Sequence, residues 1–99
     1  MKIDVLGYEY EVGRGYIPGD ATGIVDHKTG CIIIDDNLSP TMSAETVLHE
    51  VIHAIEYASR LEFEETEIWL LARGLYSVLK SNAQLLEMIG VCNEPSEDI

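Results

Sequence analysis

An α+β domain is predicted: two β-hairpins from the N-terminal third, then helices. Two observations lead there. Short β-branched runs broken by glycine-containing turns fill the chain up to residue 35, and apolar residues recur at helical spacing from residue 40 onward. A third observation sets the scale: 99 residues with 46% apolar content supply one modest core, so residues 1–99 are read as a single domain.

The strand-like runs Lys2 to Leu6 and Tyr8 to Val12 are interrupted by Gly7, which predicts a hairpin; the following "GRGYIPGDATG" reads as a loop. In "GIVDHKTGCIIID" two β-branched runs flank "DHKTG", whose Asp, Lys and Gly form turns, so a second hairpin is expected with its second strand at about Gly30 to Asp35. "SPTMSAET" then opens a helix. Ser39 can cap it, Pro40 suits its first position, and Glu45 adds an acid near the positive end of the dipole. Ala44, Val47, Leu48, Val51, Ile52, Ile55 and Ala58 keep helical spacing, which predicts a helix from Pro40 to about Ser59. After "RLEF", a second helix is predicted over about Glu64 to Lys80, with Ile68, Leu71, Ala72, Leu75, Val78 and Leu79 on one stripe. "NAQLLEMIG" predicts a short third helix ending at Gly90, and the acidic tail from 91 to 99 is expected to fray.

Eighteen acids against six bases give a net charge of −12, which repels phosphate backbones and anionic lipid. Nucleic acid and membrane are therefore not expected as partners. No apolar run approaches the ~20 residues that cross a bilayer, and "MKIDVLG" lacks an apolar signal core, so the chain reads as soluble and cytoplasmic. Cys31 and Cys92 form no CxxC pair and are read as reduced thiols.

The chemistry lies in "TVLHEVIHAIEY", residues 46 to 57. Residues four apart share one face of a helix, so His49 and His53 can present two imidazole nitrogens to one metal ion, with Glu50 on the neighbouring flank. This is the HExxH arrangement, in which zinc lowers the pKa of a water and the glutamate takes its proton. The pentapeptide also arises by chance. Its place in a well-capped helix, beside the apolar stripe and ahead of several acids, favours a Zn2+ site with Glu50 as general base.

Zinc needs a third protein ligand. His27 falls in a predicted turn, where a histidine is usually just solvated. The acids of "EFEETE" (Glu62, Glu64, Glu65 and Glu67) are the better source, although acids also gather at helix N-termini because the dipole favours them. Helical geometry alone slightly prefers Glu64, the nearest to the centre of the stripe. Glu56 shares the histidine face but lies too far along the axis to converge with both, so it is read as supporting a ligand by a hydrogen bond.

"LHEVIHAIEY" followed by "ARGLYSVLKSNAQLL" resembles the small, often phage-encoded metallopeptidase-like proteins related to the ImmA/IrrE group of zincins, over roughly Ile32 to Met88. In that group a glutamate opening an ExxAN segment is the third ligand. Aligning "ETEIW" with it places the ligand at Glu65, with Glu64 as the alternative; Ile68 stands where the group has Ala, and Trp69 where it has Asn. The resemblance implies a minimal zincin fold, a small antiparallel sheet packed on the HExxH helix and its partner. It also implies a peptide or protein substrate and, if phage-encoded, a bacterial host cytoplasm. An edge strand that docks substrate would then be Cys31 to Asp35, unless "CIIID" is a buried core strand.

Two functions follow. One is a zinc metallopeptidase in which His49, His53 and Glu65 hold the metal; Tyr57, Tyr76, Arg60 and Arg73 are available to hold an oxyanion. The other is a non-catalytic module stabilised by its metal, acting in phage assembly or host regulation, which the small size favours. A helical protein with an accidental HExxH and no metal is the third reading. The sequence carries no sign of oligomeric state.

Overall fold

The computed structural model describes residues 1–90; the tail expected to fray, with Cys92, lies outside them. Four strands and three helices follow in order: β1 (Lys2–Val5), β2 (Tyr8–Gly15), β3 (Gly23–Asp26), β4 (Cys31–Asp35), α1 (Pro40–Ser59), α2 (Glu65–Ser81) and α3 (Ala83–Met88). The α+β architecture is the expected one.

β1 and β2 form an antiparallel hairpin in which Val5 pairs with Tyr8. The intervening Leu6 and Gly7 both take positive φ, 52° and 91°, the conformation that a two-residue turn between right-twisted strands requires. β3 and β4 form the second hairpin. Its turn is held by the Asp26 carboxylate, which accepts the backbone N–H groups of Lys28 at 3.0 Å and Thr29 at 3.3 Å. These bonds, Thr29 first, hold the Asp26 carboxyl below its ordinary range.

The two hairpins join through a parallel pairing of β2 with β4, giving the order β1-β2-β4-β3. The sheet is therefore mixed: antiparallel within each hairpin, parallel between them. The parallel pair departs from the small antiparallel sheet that the resemblance implies, and the arrangement corrects two further expectations. β2 runs on to Gly15 instead of ending near Val12, because Gly13 and Gly15 pair with Ile33 and Asp35 of β4 and that ladder outweighs their low strand propensity. β4 is also not an edge strand. Flanked on both sides, it buries Ile32 at 0% and Ile34 at 2% exposure, each contributing about 1.5–3 kcal/mol relative to leaving it in water. The edge beside β4 is β3.

α1 begins and ends where the sequence indicates. The Ser39 hydroxyl accepts the N–H of Met42 at 3.1 Å, and Pro40 occupies the first turn. Arg60 closes the helix in the left-handed conformation, φ 59°. One face of α1 places Val47, Val51, Ala54 and Ile55 on the sheet residues Tyr10, Val12, Ile32 and Ile34. Another places Leu48 and Ile52 against Ile68 and Ala72 of α2. α1 thus lies between the sheet and α2, with a strip facing β3 on one side.

α2 starts one residue later than predicted because Glu64 is its N-cap. Of its apolar stripe only Ile68 and Ala72 are buried; Leu71, Leu75 and Val78 stay more than two-fifths exposed because they lie off the face that meets α1. Among the described residues no helix is long and apolar enough to cross a membrane.

Candidate metal centre

His49, Glu50 and His53 sit at the middle of α1, where the helix passes between β3 and α2. Each of the three offers a ligand atom within 4.8 Å of the other two, a group able to hold a metal ion. His49 and Glu50 are buried, at 5% and 4% exposure, which is costly for polar side chains unless they are paired.

The pairing is by carboxylates. Glu65, in the first turn of α2, brings one oxygen to 2.5 Å from His49 Nε2 and the other to 3.3 Å from His53 Nε2. Glu50 meets His49 on the opposite nitrogen, Nδ1, at 3.1 Å. Glu56, one turn beyond, meets His53 Nδ1 at 2.8 Å, and its other oxygen accepts the N–H of Phe63 at 2.6 Å. Glu56 therefore orients His53 and also anchors the connection between the two helices.

Every imidazole nitrogen in the cluster thus faces a carboxylate. A neutral imidazole carries one proton, so each ring can serve only one of its two carboxylates. With the Nδ1 protons directed at Glu50 and Glu56, both Nε2 lone pairs point at Glu65, itself an acceptor. In that tautomer three acceptors converge on one place, which a cation can satisfy. Carboxylates behind the Nδ1 atoms are also what orients histidines toward a metal. The residues present fit a divalent ion such as Zn2+.

Two further residues shape the centre, and the sequence does not single either out for it. The Trp69 indole stacks on the His49 imidazole, centroids 4.1 Å apart at 22°, and so fixes the ring plane. Trp69 follows Glu65 by four residues, so the two share a face of α2; that spacing was the available signal. Gly23 of β3 lies against Glu50. A Cβ there would stand 2.7 Å from Thr46 Cγ2 and 3.1 Å from Glu50 Oε2, so this approach requires glycine. Nothing local in "GDATG" announces it.

Glu64 makes no hydrogen bond to either histidine. Its backbone N–H donates to the Glu67 carboxylate at 2.9 Å in a capping box that starts α2. His27 is not simply solvated: its Nδ1 lies 2.9 Å from the Tyr10 hydroxyl, and its ring stacks on Tyr57 at 4.3 Å and 7°. Burial first, then the neighbouring phenols of Tyr57 and Tyr8, push the Tyr10 phenol above its ordinary value, so it keeps its proton. Of the oxyanion candidates, Tyr57 lines the cavity beside the cluster, whereas Tyr76 sits under the Lys80 ammonium and Arg73 lies 3.8 Å from Glu45.

The cluster opens in two directions. A cavity of about 840 Å³ adjoins His53 and Glu65 and is also lined by His27, Tyr57, Leu61 and Phe63. A smaller one of about 220 Å³ lies between Thr22, Gly23, Glu50 and Trp69 on the β3 side. Comparison of the chain with family models, curated proteins and solved structures returns no match, and what stands is a His49-Glu50-His53 cluster in the HExxH arrangement, able to hold a metal ion, in an α+β fold.

Proposed function

We propose that the chain is a zinc-dependent peptidase of the HExxH type, related to the ImmA/IrrE group. One observation carries this reading: two Nε2 atoms and the Glu65 carboxylate converge while a second carboxylate backs each ring. His49, His53 and Glu65 hold the metal. Glu65 takes the third place over Glu50 because it reaches both Nε2 atoms, whereas Glu50 meets His49 from the Nδ1 side. When bound, zinc supplies Lewis acidity toward a carbonyl and lowers the pKa of water.

The protein's own groups do the rest. Glu50 is buried, offers an oxygen within 4.8 Å of ligand nitrogens of His49 and His53, and lines the small cavity with His49 and Glu65; there it accepts a proton from attacking water and passes it to the leaving amine. Glu56 and Trp69 keep the two imidazoles in place. The substrate is a peptide or protein; an extended segment is offered the outer edge of β3, whose Gly23 adjoins Glu50. In the test, zinc-loaded protein is incubated with fluorescein-labelled casein. Glu50→Gln is expected to keep zinc while hydrolysis falls about 10²–10⁴-fold. Cleavage unchanged by that substitution would remove Glu50 as the base.

A second reading, a non-catalytic module stapled by its metal, has its own support. Among the described residues the apolar cluster between α1 and α2 is small, with Ile52, Ile68 and Ala72 buried and Leu48 packed against them, so a metal held by both helices would add substantially to it. Hydrolysis by the wild type that Glu50→Gln abolishes separates the two.

A further inference from the structure

The wall of the large cavity carries a hydrogen-bond donor that holding the metal does not use. Tyr10 is 1% exposed, and its hydroxyl has a single partner among the described residues, His27 Nδ1. A buried hydroxyl proton without an acceptor is strongly disfavoured, so the phenol donates and Nδ1 accepts. The neutral imidazole then carries its own proton on Nε2. The ring cannot turn freely, because Tyr57 stacks on its face and Tyr10 meets it edge-on at 86°. Nε2 has no protein partner among the described residues, and the ring lines the cavity together with His53 and Glu65.

We propose that His27 is a substrate-binding residue whose Nε2–H holds a backbone carbonyl oxygen of a peptide lying in this cavity. The inference rests on the peptidase reading above and adds to it a residue from the β3–β4 turn. The oxygen belongs to an uncharged amide. Glu62, Glu64, Glu65 and Glu67 line the same cavity and no Lys or Arg does, so a carboxylate would be repelled there. The site therefore suits an internal stretch of chain over a C-terminal carboxylate.

Two measurements test this. Long-range ¹H–¹⁵N correlation on the wild-type protein reads the His27 tautomer; a protonated Nε2 with a bare Nδ1 is expected, and the opposite tautomer overturns the proposal. Zinc-loaded wild type and His27→Phe are then titrated calorimetrically with acetohydroxamate and with acetyl-dileucyl hydroxamate. Both ligands reach the metal through the same group, but only the second brings peptide carbonyls. His27→Phe should weaken the peptide hydroxamate about tenfold and leave acetohydroxamate unchanged. Equal peptide-hydroxamate affinities alongside intact acetohydroxamate binding overturn the His27 role alone. Loss of acetohydroxamate binding by the wild type overturns the metal reading and this inference with it. Should His27→Phe not fold, the tautomer of the wild type still decides.

Discussion

Gly23 holds one of the tightest positions in the protein, pressed between Thr46 and the buried Glu50. Gly23→Ala forces a methyl group to within 2.7 Å of Thr46 Cγ2, and the Thr46 side chain, α1 or β3 must move to accept it. A loss of about 1–3 kcal/mol is expected in urea unfolding, the usual cost of overfilling a packed site, with a displaced Glu50. An unchanged midpoint would show that the strand yields freely. The residues of the centre differ in how far sequence reveals them. His49, Glu50 and His53 are readable because helical periodicity alone puts them together. Glu65 needs a second helix at a known angle, which only the ExxAN alignment supplied; residue geometry by itself leaned to Glu64, which the structure uses as a cap. Gly23 and His27 meet their partners across the fold, so nothing in their neighbours announces them, and Trp69 offers only its four-residue spacing from Glu65.

Among the elements, α1 is the most legible, since cap, proline and apolar spacing all agree along its 20 residues. Its start is also testable. Ser39→Ala removes the acceptor for Met42 N–H and should lower stability by about 1 kcal/mol, read from chemical unfolding; no change would mean that water replaces the cap fully. The strands are less legible. Glycines in "GRG" read locally as loop, yet the parallel partner β4 draws them into β2. "CIIID" shows the same limit from the other side: a continuous apolar run fits either an edge or a centre, and only the strand order decides for the centre. The edge proposed to dock a peptide is consequently β3 and not β4, and β3 also touches Glu50 through Gly23.

At the scale of the whole molecule, composition and periodicity were enough for the α+β class, whereas the crossover that makes the sheet mixed was not encoded in any local pattern. That crossover also sets where the centre lies. By pairing β4 with β2, it leaves β3 outermost beside α1, and the centre then lies where sheet edge, α1 and the first turn of α2 meet. A chain of net charge −12 that gathers Glu50, Glu56 and Glu65 around two imidazoles concentrates repulsion at one point, and a divalent cation there relieves it. The most direct test is therefore elemental analysis of protein expressed and purified without a histidine tag. About one zinc per chain is predicted, falling sharply in His49→Ala. A content near zero in folded wild-type protein, with none regained on dialysis against zinc, would contradict the metal centre and the peptidase reading built on it.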